Sequence, residues 1–282
     1  MFMKLSAEPA EPAGRFARQD EVEADYRRMC QLRRMSFVEL RVLLAGEPCK
    51  AAPWVETAAR YGLVEAQLRL GQMRLDGLGA PKDEGAAFTW FMRAAKRNSP
   101  EAMNMVGRCY ENGWGRTVDL SAAADWYRRS AEAGHDWGEY NYANMLFDGR
   151  GVARDQAQAV AGYRRAADKG HARAMNLLAR CCEEGWGTPR DIAAACDGYR
   201  RSAQGGYFRG QFNYGALLAA HGRIDEALGW FDKACQGAPP DSLRAMVQVL
   251  LRQNHPRLAE FARATAARLP DNNSERRGEA QS

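Results

Sequence analysis

Long apolar runs are missing from this chain. Nothing in it approaches the ~18 consecutive apolar residues that a membrane-spanning helix requires, so no membrane insertion is expected. Histidines number four, and His135, His171, His221 and His255 do not cluster in sequence. Seven cysteines, Cys30, Cys49, Cys109, Cys181, Cys182, Cys196 and Cys235, form an odd set without a Cys-x-x-Cys pair or a Cys/His ligand spacing, which excludes the common zinc and redox motifs. Reduced structural thiols are expected, the alternative being a bridge between Cys182 and Cys196. No phosphate-binding loop and no Ser/His/Asp order is present, so catalytic residues, cofactors and metals are all expected to be none. Lysines are scarce, six among many arginines, and the net charge of +5 is interleaved with acids, a balance that disfavours nucleic acid as partner. The opening residues MFMKLSAEPAEPAGRF carry acids and no apolar core of signal-peptide length, which points to a cytoplasmic protein.

What the chain does have is self-similarity. The stretch Glu101 to Gly115, EAMNMVGRCYENGWG, returns as RAMNLLARCCEEGWG from Arg173 to Gly187, seventy-two residues later without a gap. Half that distance is the unit: a shift of thirty-six aligns Gly77, Gly113, Gly149 and Gly185 in one column and Gly79, Gly115, Gly151 and Gly187 in another. A period of this length signals stacked supersecondary units, each packing only against its neighbours. The fold class expected is therefore all-α, a superhelix (solenoid) of antiparallel helical hairpins.

Residues 1–19, rich in Pro, Ala and Glu, read as a disordered leader, and 20–62 as N-terminal capping helices plus a partial repeat. Ser36 and Glu39 have capping-box spacing, and Pro53 to Tyr61 is in register with the second helix of a repeat. Four full units follow over 63–207. Each has a first helix, a double-glycine turn and a second helix capped by Asp83, Asp119, Asp155 or Asp191. Small residues such as Gly71, Gly107 and Gly215 recur where helices must approach closely, and Phe91, Tyr127, Tyr163 and Tyr199 fill the facing layer. A shorter, tetratricopeptide-like unit spans 208–240, a capping helix pair 241–269 and a flexible tail 270–282.

These residues resemble the Sel-one-like repeats, a subclass of the tetratricopeptide superfamily. The second unit shows the pattern as Ala102, Gly107, Tyr110, Gly113, Gly115, Asp119, Ala123, Trp126, Tyr127, Gly134 and His135. Elsewhere Tyr110 becomes Arg74, Leu146 or Cys182, and Trp126 becomes Gly162 or Gly198. The resemblance implies a non-catalytic adaptor for protein assembly, often bacterial, whose first helices line the concave side.

Residues predicted to project into that groove are Asn104, Arg108 and Glu111, their counterparts Asn176, Arg180 and Glu183, then Tyr140, Asn144 and Phe147 of the third unit, and Phe212 of the fifth. Asn and Arg four apart share one helix face. An amide can pair with the backbone of an extended peptide, and a guanidinium can clasp a carboxylate through two hydrogen bonds. Trp114 and Trp186, between turn glycines, are either docking knobs or fold back over the next helix. The function expected is a scaffold binding a partner peptide or helix. Two alternatives stand beside it: single-stranded RNA binding by a helical array, and an exported envelope or virulence factor.

Overall fold

The computed structural model describes residues 19–269, and among them it holds fifteen α-helices and no strand. The leader expected over 1–19, apart from Gln19 at the start of the first helix, and the tail expected over 270–282 lie outside the described residues. Two compact units divide the chain between Asp155 and Gln156. The first unit contains α1 (Gln19–Leu32), α2 (Phe37–Ala45), α3 (Pro48–Arg60), α4 (Val64–Asp76), α5 (Glu84–Ala95), α6 (Pro100–Asn112), α7 (Leu120–Glu132) and α8 (Asp136–Asp148). The second contains α9 (Gln156–Asp168), α10 (Ala172–Glu184), α11 (Ile192–Gln204), α12 (Phe208–Ala220), α13 (Ile224–Gly237), α14 (Pro240–Leu251) and α15 (Pro256–Ala266). Within each unit, consecutive helices pack as hairpins and each hairpin stacks on the next.

The turn inside a repeat shows why its glycines recur. Gly113 closes α6 in the left-handed conformation, φ 77°, and its amide reaches back to the Cys109 carbonyl at 3.0 Å. The second glycine, Gly115, is also left-handed at φ 69°, and a Cβ there would lie 2.3 Å from the Glu84 carbonyl oxygen at the start of α5. This glycine is thus the point where one hairpin's turn touches the backbone of the hairpin before it, and a side chain has no room. The turn is then closed by a backbone bond spanning nine residues: Asp119 N–H to the Tyr110 carbonyl at 3.0 Å, with counterparts from Asp83 to Arg74 at 2.7 Å, Asp155 to Leu146 at 2.9 Å and Asp191 to Cys182 at 2.8 Å. Only a main-chain carbonyl is needed at that column, so Tyr, Arg, Leu and Cys all serve. Asp83, Asp119 and Asp191 each accept from the third amide of their helices at 2.8–2.9 Å, a cap worth about 1 kcal/mol over alanine.

Close approach follows the predicted small column. A Cβ on Gly107 would fall 2.7 Å from the Tyr127 ring and one on Gly71 2.5 Å from the Phe91 ring. Phe91 and Tyr127 anchor the apolar layers of the first unit, and Tyr163, Tyr199 and Phe231 are likewise buried in the second. At the N-terminal end, Ser36 and Glu39 form the capping box of α2. The helix expected over Pro53 to Tyr61 begins earlier, at Pro48. A proline costs nothing in the first turn, where its missing N–H would be unpaired anyway, and Pro53 lies inside the helix on an exposed side.

Candidate functional site

The first helices of successive repeats lie side by side within each unit, α6 beside α8 and α10 beside α12. Asparagines join them. Asn141 Nδ2 donates to Asn104 Oδ1 at 2.8 Å, and seventy-two residues on, Asn213 Nδ2 donates to Asn176 Oδ1 at 2.9 Å. Asn104 is 6% and Asn176 4% exposed, so these side chains bolt neighbouring hairpins together with their amides turned inward. An unpaired amide at such burial would cost roughly 1–3 kcal/mol, which is why each has a partner.

One turn further along α6 and α10 the guanidinium groups lie over indole rings. Arg108 sits 4.9 Å from the Trp114 ring centroid and Arg180 5.0 Å from that of Trp186. Trp114 folds back against the cluster that holds Phe91, Val106 and Cys109. Arg180 is exposed and Arg108 half-buried. A ring beneath a guanidinium fixes its plane; Arg108 Nη1 also donates to Met105 Sδ at 3.6 Å, whereas the exposed Arg180 presents edge N–H groups that a carboxylate can meet.

Glu111 and Glu183 come next. The Tyr127 hydroxyl donates to Glu111 Oε2 at 2.6 Å and the Tyr199 hydroxyl to Glu183 Oε2 at 2.6 Å. Burial, then the hydrogen bond to the carboxylate and its charge, push both phenols well above the ordinary tyrosine range. In the first unit Arg150 Nη1 adds an ion pair to Glu111 Oε1 at 2.8 Å. In the second unit the residue seventy-two on is Gly222, in a turn of three residues between α12 and α13 against seven between α8 and Gln156. Among the described residues no cation pairs with Glu183.

Of the remaining predicted residues, Tyr140, Asn144 and Phe147 share α8 and are half-buried, with Tyr140 edge-on to Trp137 at 5.9 Å. Phe212 packs into the apolar cluster of the second unit, its ring 5.3 Å from that of Phe231. Asn141, Asn213, Arg150 and the two tyrosine hydroxyls were missed as polar partners. The sixteen-residue spacing of Glu111 to Tyr127 and Glu183 to Tyr199, repeated at the double period, is the signal that marks the tyrosine pairs. On the second helices, Arg128 pairs with Asp125 and Glu132, Arg129 with Asp125, and Arg200 with Asp197. The cysteines are free thiols, Cys109, Cys181 and Cys182 buried. Burial pushes the Cys109 and Cys181 thiols up to about 12. Among the described residues no group of three or more His, Cys, Asp or Glu side chains is placed to hold a metal, and no helix is long and apolar enough to cross a membrane.

Comparison with known proteins places this geometry. The Sel1 repeat family model matches five consecutive segments, 64–99, 100–135, 138–171, 172–207 and 209–238, so that the shorter fifth unit is matched too. Among solved structures, a Sel1 repeat protein from Oxalobacter formigenes is 26% identical with a TM-score of 0.68, the match covering 81% of this chain and 99% of that one. The protective antigen c5321 of uropathogenic Escherichia coli, which displays an SLR fold, is 25% identical with a TM-score of 0.63; the match covers 89% of this chain and 54% of that longer one. The immunity protein Pa5087 from Pseudomonas aeruginosa, 16% identical with a TM-score of 0.51 over 72% of this chain and 80% of its own, shares the fold. Among curated proteins, none matches the chain. Sel1 repeat proteins are generally protein-interaction scaffolds, on a fold that is typically non-catalytic. Five tandem matches over more than half of the sequence decide the affiliation: the chain belongs to the Sel1 repeat family.

Proposed function

We propose that this chain is a cytoplasmic, non-catalytic adaptor that holds a segment of a partner protein against the first-helix faces of its repeats. The observation that carries the reading is the twin arrangement of Arg108 over Trp114 and Arg180 over Trp186. In each, a guanidinium is oriented by an indole of the turn that follows its helix. Tyr140, Asn144 and Phe147 offer a mixed polar and aromatic surface on α8. The buried pairs Asn104–Asn141 and Asn176–Asn213 support it from beneath by holding adjacent first helices in register. Hairpins stacked within one unit lose little ordering entropy on binding, so contacts made by such a face are retained as affinity.

Affinity capture with the full chain as bait, followed by titration of the protein recovered, tests the reading. Arg108→Ala with Arg180→Ala is expected to weaken the partner by about 1–3 kcal/mol, the range of strong interface residues, with the melting temperature nearly unchanged. A partner held equally well by the double variant overturns the assignment of this face. Single-stranded RNA in place of a protein would appear as binding that falls steeply with salt.

A further inference from the structure

The first helices of the two units differ in charge. In α4, α6 and α8 the exposed charges are all acidic: Glu65, Asp76, Glu101 and Asp148. In α10 and α12 they are Arg173, Arg180 and Arg209, with Glu184 the one exposed acid. Repeat register puts Arg173 and Arg209 in the column of Glu65 and Glu101, and Arg180, seven residues after Arg173, on the same helix face. α12 contains no acidic residue. The other acid near this face, Glu183, is half-buried and accepts from the Tyr199 hydroxyl.

Each of these arginines lies over an aromatic ring: Arg173 over Tyr207 at 5.6 Å, Arg180 over Trp186 at 5.0 Å and Arg209 over Phe208 at 5.7 Å. Among the described residues neither Arg180 nor Arg209 pairs with a carboxylate, whereas Arg200, Arg223 and Arg257 of the same unit do. Arg173 and Arg209 are also the second residues of their helices, where the helix dipole favours an acid. Glu65 and Glu101 supply that acid in the first unit; the second unit places cations there against the local preference. Positions that break a local rule are where a chain's function is expressed.

Resting on the adaptor reading above, we propose that α10 and α12 are the docking surface for an acidic segment of the partner protein, with Arg180 and Arg209 clasping its Asp or Glu side chains. Ring-stacked guanidinium groups present their edges in a fixed plane, the geometry that takes a carboxylate through two parallel hydrogen bonds.

A phage library of random twelve-residue peptides, panned against the full chain, tests this. Peptides of net negative charge are expected to be enriched, and the strongest of them to bind about tenfold more weakly to Arg180→Gln/Arg209→Gln and to lose affinity as salt rises. Arg200→Gln, a surface arginine of the same unit paired with Asp197, is the control and should leave the affinity unchanged. The charge-reversed Arg180→Glu/Arg209→Glu is expected to abolish binding, and circular dichroism checks that both double variants fold. Enrichment without acidic bias, or acidic peptides held equally by the Gln double variant, overturns the inference and leaves the adaptor reading standing. Enrichment of no peptide removes both. Displacement of an acidic peptide by a uridine dodecamer that itself binds tighter assigns the surface to nucleic acid and overturns the inference.

Discussion

The first and second units carry the same fifteen-residue motif seventy-two residues apart, and the parts that stay alike differ in kind from the parts that diverge. Alike are the asparagine bolts, the arginine-over-tryptophan pairs, the Glu–Tyr bonds and the left-handed turn glycines. Divergent are the exposed charges of the first helices, the cation beside the glutamate, and one packing pair. The second repeat packs Gly107 onto the Tyr127 ring, whereas the fourth has Ala179 at that column facing Gly198, where a Cβ would fall 2.8 Å from that of Ala179. Ala179 adds a methyl where Gly107 has none, and Gly198, where the second repeat has Trp126, leaves room for it. Backbone geometry and buried polar pairs therefore repeat because each failure is costly. The exposed face has drifted in sign because nothing in the hairpin itself opposes the change, save the helix dipole.

The most damaging way to probe that likeness is at the turns. Gly115→Ala and Gly187→Ala each force a left-handed alanine whose Cβ would lie 2.3 Å from a carbonyl oxygen of the preceding hairpin. Strain and overpacking together are expected to cost about 2–5 kcal/mol by urea denaturation, equally in the two units. Gly206→Ala has the same left-handed backbone, φ 80°, but open space around it, so it should cost only about 1–2 kcal/mol. A Gly115→Ala no worse than Gly206→Ala would remove the contact between hairpins as the reason for the second glycine column.

Alkaline pH probes the buried thiols. Cys109 and Cys181 are twins in register, and burial raises both to about 12. An unfolded thiol loses its proton near ~8.5, so above that pH the folded state binds more protons than the unfolded one. Stability is thus fully present below ~8.5 and falls as pH rises toward the folded value, by up to ~1.4 kcal/mol per pH unit for each thiol. The raised Tyr127 and Tyr199 steepen the loss from about 10 upward. Urea midpoints at rising pH check this, and Cys109→Ala/Cys181→Ala should flatten the decline. A slope unaltered by the double variant sinks the attribution to these thiols.

The period made the hairpins, caps and turn glycines legible, because each is a local demand of the backbone that recurs at a constant shift. Departures from Tyr110 at Arg74, Leu146 and Cys182 look like losses of pattern. The turn-closing bond is indifferent to them, since it uses a carbonyl that any residue carries. Asn104 and Asn176 are placed as bolts to Asn141 and Asn213 by bonds spanning thirty-seven residues, one more than the repeat, which a comparison of columns at thirty-six does not register. Arg150 escapes the pattern for a related reason: it belongs to a turn that the fifth repeat shortens, so its column ends at Gly222. The sign change along Glu65, Glu101, Arg173 and Arg209 is visible in the sequence, but it acquires meaning only because those positions are exposed.

The smallest expected effect sharpens the comparison most, because it isolates Arg150. Tyr127→Phe leaves Glu111 paired with Arg150 at 2.8 Å, while Tyr199→Phe removes the hydrogen bond to the half-buried Glu183 carboxylate, for which no other side-chain partner is found among the described residues. A hydrogen bond to an already neutralised carboxylate is also the weaker of the two. Tyr199→Phe is therefore expected to cost more than Tyr127→Phe by about 0.5–1 kcal/mol, both costs lying near the ~1 kcal/mol of a single net hydrogen bond because water reaches the glutamates. Removing the cation as well, with Arg150→Ala in the Tyr127→Phe chain, should close the gap, and a double-mutant cycle reads the coupling directly. Equal costs for the two tyrosines, with no coupling to Arg150, would mean that the second unit's glutamate finds its compensation elsewhere and that the ion pair is no true difference between the twins.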